Sequence, residues 1–384
     1  MPTRYDVFAK IVELAPCRAK DLAFKVPVYS HIDSLVKLDF IKKTKEGIIP
    51  IKNETTESAF KIIKYCLKNG LDYNKFFTKK SSFLIKSIFK SAPNLRPKKI
   101  QGNQDFVELL SYLENNQFIL ISKKRPRTGI ILQHKIFNSI LSFNKVKNSQ
   151  NIVKTSKYLD VFDVVLKLKS NLINPFDDEI FSFLSGSAQL EGSTITAGET
   201  RELLVNDIYP QKPQKDVQMV KNLNEALGYI LENLNEKFSE DHIKMINRLV
   251  LFSLHKNSGQ YKKVQNKIQG NPNFKTTIPT LVSIEMKNYL EKLNQISTRE
   301  ECLKNLGFIH NEIQRIHPFS DGNSRTTRLI LNWILLKFSF PLLVIKMGCF
   351  DEYMGLTKLS SKRDDEKLSK LFYHLILHES LMVD

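Results

Sequence analysis

The run His317-Pro-Phe-Ser-Asp-Gly-Asn-Ser-Arg325 gathers side chains that can move a proton, hold a hard cation and grip an anion. His317 closes a helical stretch, and Pro318 forces the chain out of helical geometry there. Phe319 is apolar and can anchor the loop in a core. Asp321-Gly-Asn-Ser then opens another helix, on which Arg325 and Arg328 stand one turn apart on one face. A helix amino terminus offers N–H groups and partial positive charge, a ready anion site. Gly322 lets a phosphate approach the backbone, and the two arginines add forked donors. With His317 as base and Asp321 as oxygen ligand for Mg²⁺, these are the parts of a phosphoryl- or nucleotidyl-transfer site.

The elements that must position this loop are helical. From Tyr158 onward the apolar spacing predicts helices over 159–168, 177–184, 216–235, 240–254, 284–295, 301–316, 324–337 and 365–378, with Asp177 and Ser239 as caps. The one hairpin-like stretch is Gly259–Gly270. The expected architecture is mainly α: a helical domain with a β-hairpin flap over 155–384 (core 180–380), preceded by small winged-helix-like α/β units. The first unit, 1–55, reads as helices 5–14, 20–25 and 31–38 followed by a two-stranded wing, 40–44 and 47–51. A second basic unit, 56–150, echoes it with helices 57–68, 81–90 and 105–114 and a hairpin, 118–122 and 130–133. Lys145–Lys157 reads as a linker.

Charge is unevenly spread. The first 150 residues hold 28 Lys+Arg against 12 Asp+Glu, the rest 30 against 28, so the net +18 lies almost wholly in the amino-terminal part. Duplex DNA is the partner such a module suits, through the wing lysines 42, 43 and 45 and the hairpin tip Lys123–Arg127. A lysine-rich solvated surface is the alternative. The cysteines, Cys17, Cys66, Cys302 and Cys349, have neither metal-ligand nor disulfide-like spacing, which fits a cytoplasmic chain. No secretory signal is recognisable, and the most apolar run, 329–345, contains Asn332, Lys337 and Pro341, so no membrane partner is expected. Monomer and dimer both stay open.

The motif resembles that of the Fic (Fido) family, HPFx(D/E)GN(G/K)RxxR. His317, Pro318, Phe319, Asp321, Gly322, Asn323, Arg325 and Arg328 match, and 308–316 looks like the family's preceding helix. Ser324 departs from it, where AMP-transferring members usually carry Gly. A positive φ there would cost about 1–2 kcal/mol, whereas a place in the first helical turn would be harmless. The resemblance implies a protein adenylyltransferase moving AMP from ATP to a Tyr, Thr or Ser hydroxyl of a target protein. His317 would be the base and Asp321 would hold Mg²⁺. Gly322, Asn323, Ser324 and Arg325 would cradle phosphates, Arg328 would take the γ-phosphate, and Tyr353 would lie near the adenine. Tyr261, Val264 and Ile268 belong to the implied flap, which would hold the target segment as an added strand. Ser187-Ala-Gln-Leu-Glu191-Gly192 is similar to the family's inhibitory pattern (S/T)xxxE(G/N), in which Glu191 would pair with Arg328 and occupy the γ-phosphate's place. Three alternatives stay open: another nucleotide or a phosphate as the group moved, removal of AMP, or an ATP-sensing DNA-binding regulator without transferase activity.

Overall fold

The computed structural model describes residues 2–96, 102–147, 152–153, 157–170, 174, 177–266, 274–357 and 363–383. More than half of the expected linker, and Ile268 of the expected flap, lie outside them. The described elements are mainly helical, with two short antiparallel two-stranded sheets. The chain divides into two compact units that are not linear blocks. The first comprises 1–91, 96–111 and 134–154, and the second 92–95, 112–133 and 155–384.

In the first unit α1 (Arg4–Leu14) begins at Thr3, whose hydroxyl accepts the Asp6 N–H while the Asp6 carboxylate accepts the Thr3 N–H. This reciprocal cap satisfies two helix-end donors. The short helix expected at 20–25 is a 3-10 turn, Ala19–Leu22. Then come α2 (Tyr29–Lys37) and the hairpin β1 (Ile41–Lys43) and β2 (Ile48–Pro50), registered Ile41↔Pro50 to Lys43↔Ile48. Lys42 and Lys43 are exposed on it, and Lys43 pairs with Asp33. α3 (Glu54–Lys68), α4 (Lys79–Ser91) and α6 (Lys135–Phe143) complete the unit, with α3 against α6. The unit boundary falls inside α5 (Gln104–Asn115), between Ser111 and Tyr112.

The second unit corrects the reading of 56–150 as one module. The hairpin β3 (Ile119–Lys123) and β4 (Thr128–Ile131) lies in it, and Leu120, Ile130 and Leu132 share one apolar core with Trp333. Alternating apolar residues show that one face of a hairpin is buried, not what buries it. Of the basic tip, Arg127 turns inward onto buried Glu114.

The remaining elements of this unit are α7 (Phe162–Lys167), α8 (Asp178–Gln189), α9 (Ala197–Val205), α10 (Gln214–Glu232), α11 (Glu240–Val250), α12 (Val282–Gln295), α13 (Arg299–Ile316), α14 (Asn323–Lys337), α15 (Phe350–Leu356) and α16 (Asp365–Val383). α14 is buried on nearly every side and carries the core. α13 packs on α14 and α16, and it meets α16 closely at Gly307, where a Cβ would strike the Asp365 carbonyl. α16 also packs on β3. There His378 Nδ1 accepts the Ile121 N–H (2.9 Å), and His378 Nε2 donates to the Glu114 carbonyl (3.1 Å). Ser239 caps α11 by accepting the His242 N–H. Asp177 makes no such bond and instead accepts the Asn174 N–H.

Candidate active site

His317 is the last residue of α13's turn structure, held in the left-handed region (φ 50°) with its N–H donating to the Ile313 carbonyl at 2.8 Å. A helical conformation is disfavoured before proline, so the Ile316–Pro318 junction turns the histidine off the helix. Burial is the main cause that pushes the imidazole down to about 4. The Lys262 ammonium adds to it, and the Gln314 carbonyl and Asp321 oppose it. Among the described residues His317 Nδ1 finds no hydrogen-bond partner of normal geometry. The ring is therefore neutral at neutral pH and available as a base.

Phe319 is fully buried, as its apolar character required. Asn323 brackets it: the amide oxygen accepts the Phe319 N–H (2.9 Å), and the amide nitrogen donates to the Phe319 carbonyl (2.8 Å). The Asn323 side chain thus shapes the loop. Gly322, at φ 76°, caps α14 with no side chain on the helix-end N–H groups. A Cβ there would meet the Asn247 amide at 2.9 Å. Ser324 sits in the first helical turn, the harmless alternative.

Arg325 is 6% exposed, and its Nε has no hydrogen-bond partner among the described residues. A buried guanidinium nitrogen beside an uncapped helix terminus suits an anionic oxygen. Asp321 accepts the Gly322 N–H (2.6 Å), lies 3.4 Å from Arg325 Nη2, and leaves about half of its side chain exposed. One exposed carboxylate beside a helix terminus suited to an anion would fit Mg²⁺, which keeps several waters and binds through one or two carboxylates plus phosphates.

Arg328 is held from α8 and the turn after it. Nε donates to Ser187 Oγ (2.9 Å), and Nη2 donates to the Ser187 carbonyl (2.9 Å) and to Glu191 Oε1 (2.8 Å). Glu191 follows the helix end, where Gly192 takes φ 96° as a helix-stopping glycine does. The pair uses one carboxylate oxygen rather than two, and Ser187 supplies the other contacts. Tyr353 is buried, its hydroxyl 2.6 Å from His310 Nε2, and it lies beside Arg328.

The expected hairpin flap is not formed within the described residues 259–266. Tyr261 bridges antiparallel to Phe319, and its ring lies 5.6 Å from that of Phe319. Asn266 Nδ2 donates to the Phe319 carbonyl (2.9 Å). Val264 is exposed, and Ile268 is outside the described residues.

Two residues escaped sequence reasoning. Asn247, fully buried on α11, donates to the Asp321 carbonyl (3.1 Å) and Thr326 Oγ1 (3.2 Å) and accepts the Gly259 N–H (3.0 Å). Lys262 is buried beneath the loop. A polar residue on an amphipathic helix was the only trace of the first. The second was one lysine in a lysine-rich stretch.

Residues 237–335, which hold this loop and both flanking helices, match the family model described as Fic/DOC. Over that stretch the chain is similar to a Fic/DOC domain. The Fic match is extended by two curated relatives. Protein adenylyltransferase fic-1 of Caenorhabditis elegans is 27% identical over 277 residues, covering 69% of this chain and 50% of that protein. Protein adenylyltransferase Fic of Nematostella vectensis is 30% identical over 181 residues, covering 45% and 41%. The chain thus spans about half the length, or less, of these curated relatives. A solved fragment of Fic-1 from C. elegans aligns over 85% of this chain and 91% of its own, with a TM-score of 0.50 at 18% identity, a likeness of fold.

Proposed function

We propose that the chain transfers AMP from ATP to a hydroxyl of a target protein and that Glu191 restrains it. One observation carries the reading. A neutral buried histidine, an uncapped helix terminus and two buried arginines converge on one loop, and Glu191 holds the second arginine. The curated relatives named protein adenylyltransferases support the donor and the transferred group. His317 takes the proton of the attacking Tyr, Thr or Ser hydroxyl. The new bond joins that oxygen to the α-phosphorus, and the bond to the departing pyrophosphate breaks. The α14 terminus, through Gly322, Asn323, Ser324 and Arg325, compensates phosphate charge as it shifts to the leaving group. Mg²⁺ held by Asp321 would supply further charge compensation there. Arg328 binds the γ-phosphate once Glu191 has moved away. The residues that orient a target segment lie on the stretch carrying Tyr261 and Val264, and Tyr353 supports Arg328 from the buried side. The exposed lysines of β1 support a duplex-DNA partner for the first unit, and four buried free cysteines fit a cytoplasmic setting. Among the described residues no helix is long and apolar enough to cross a membrane.

Incubation with α-labelled and with γ-labelled ATP tests the reading. Protein label from the α position only, stronger in Glu191→Gly, is the expected result. Label from γ, or from neither, overturns it.

A further inference from the structure

The catalytic histidine is the only residue of α13's end in the left-handed region, and something must hold it there. Lys262 touches the chain on both sides of it. Its backbone N–H donates to the Pro318 carbonyl (2.8 Å), and its ammonium donates to the Ile316 carbonyl (3.3 Å) and to Thr276 Oγ1 (2.9 Å). The carbonyls before and after His317 are thus gripped by one residue. Thr276 is held in turn by Gln265, whose amide donates to its hydroxyl and carbonyl oxygens (2.9 and 3.0 Å). Thr277 donates its N–H to the Arg315 carbonyl (3.2 Å), so the 276–277 backbone runs beside the same helix end.

Lys262 is only 5% exposed, and the acceptors of its ammonium among the described residues are a hydroxyl and a carbonyl, neither of them ionised. A buried ammonium with only neutral acceptors costs stability, so its retention there points to a role other than stabilising the fold. We infer that Lys262 is a positioning residue for the transfer reaction, clamping the Ile316–Pro318 backbone so that the His317 ring faces the incoming hydroxyl as a neutral base. The inference rests on the AMP-transfer reading for its consequence and on geometry for its existence. Among the described residues Lys262 and Asp321 are the charged groups that act on the ring, with the Gln314 carbonyl from α13, and burial depresses the lysine to about 8. The cation therefore discourages protonation of His317, and Asp321 favours it.

The test compares Lys262→Met and Lys262→Arg, each added to Glu191→Gly, with Glu191→Gly alone. Lys262→Met is expected to lower kcat about tenfold to a hundredfold, the scale of a misplaced catalytic group, with KM for ATP little changed. Its acid limb should move upward from the parent's, by less than the whole depression because burial of the ring remains. Lys262→Arg keeps charge and donors and should keep the parent's pH profile. Equal kcat and equal pH profiles for Lys262→Met and the parent would overturn the inference. So would an arginine variant as impaired as the methionine one. Histidine Cε1 resonances, assigned through His317→Ala, give a readout that needs no turnover. In the parent the His317 ring should stay neutral down to about pH 5, and in Lys262→Met its midpoint should rise. If Glu191→Gly transfers no AMP, the functional reading has failed and this titration alone decides the role of Lys262. An unmoved midpoint in a folded Lys262→Met chain counts against it; should that variant not fold, Lys262→Gln, which removes the charge and keeps an N–H donor, takes its place, and an unmoved midpoint there overturns the inference.

Discussion

His378 should make the catalytic unit acid-sensitive by an amount that one substitution can isolate. Its Nδ1 accepts a backbone N–H from β3 and its Nε2 donates to a carbonyl, so both ring nitrogens are committed to the neutral tautomer. Burial pushes it down to about 4, from about 6.5 in an unfolded chain. Between those values the unfolded state binds the extra proton. The contribution is therefore whole above about pH 6.5 and is lost as pH falls toward 4, by about 3 kcal/mol in all. His374, bonded to the Leu159 carbonyl and Ser122, behaves alike, whereas Glu179, pushed up to about 7 by burial, has the opposite sign. The absolute curve mixes these, but the difference between wild type and His378→Asn does not. Asparagine can still accept the Ile121 N–H and does not titrate. The variant should be less stable at pH 8 by about 1–2 kcal/mol, for the lost bond to Glu114. Below pH 6 that gap should close and reverse. Urea unfolding at a series of pH values, followed by Trp333, the only tryptophan and one buried in this core, measures it. Parallel stability curves for the two proteins from pH 6.5 to 4.5 would refute the argument.

Glu191→Gly should raise AMP transfer about tenfold or more, since one charge-assisted bond of about 1.5–3 kcal/mol no longer competes for Arg328. Its unfolding midpoint should move little, because the Glu191 side chain is partly exposed and Ser187 keeps two bonds to the guanidinium. Arg328→Ala should lose transfer, and adding Glu191→Gly should not restore it. His317→Ala should abolish transfer while leaving ATP binding, measured by calorimetry, nearly intact. Asn247→Ala should cut both transfer and ATP affinity, since it frees the Asp321 carbonyl and the Gly259 N–H together. Reversing Lys42, Lys43 and Lys45 to Glu in the whole chain should weaken duplex binding and flatten its salt dependence in a gel-shift titration.

Local chemistry was legible in the sequence wherever neighbours in sequence are neighbours in space. Pro318 ending a helix, Gly322 opening the next, and Arg325 and Arg328 one turn apart stand as their residue types dictate. The Ser187–Glu191–Arg328 contacts span some 140 residues, and only resemblance suggested their pairing. The helix Ala197–Val205 carried a readable Thr196–Glu199 capping box and was still missed, because its apolar stripe is weak. The destination of the 119–131 hairpin had no local signal, since period-2 alternation is the same over any core. Asn247 and Lys262 act by bridging segments far apart in sequence, and composition cannot reveal that.

That hairpin has a consequence for dissecting the protein. A fragment starting at residue 155 would leave behind Leu120, Ile130 and Leu132, together with Gln117, Ser122 and the Ile121 N–H, the partners of Glu379, His374 and His378. The second unit cannot be excised as a linear segment. Severing the backbone after Lys154 should instead yield two polypeptides that run separately in denaturant and together under native conditions, the hairpin of one seated in the core of the other.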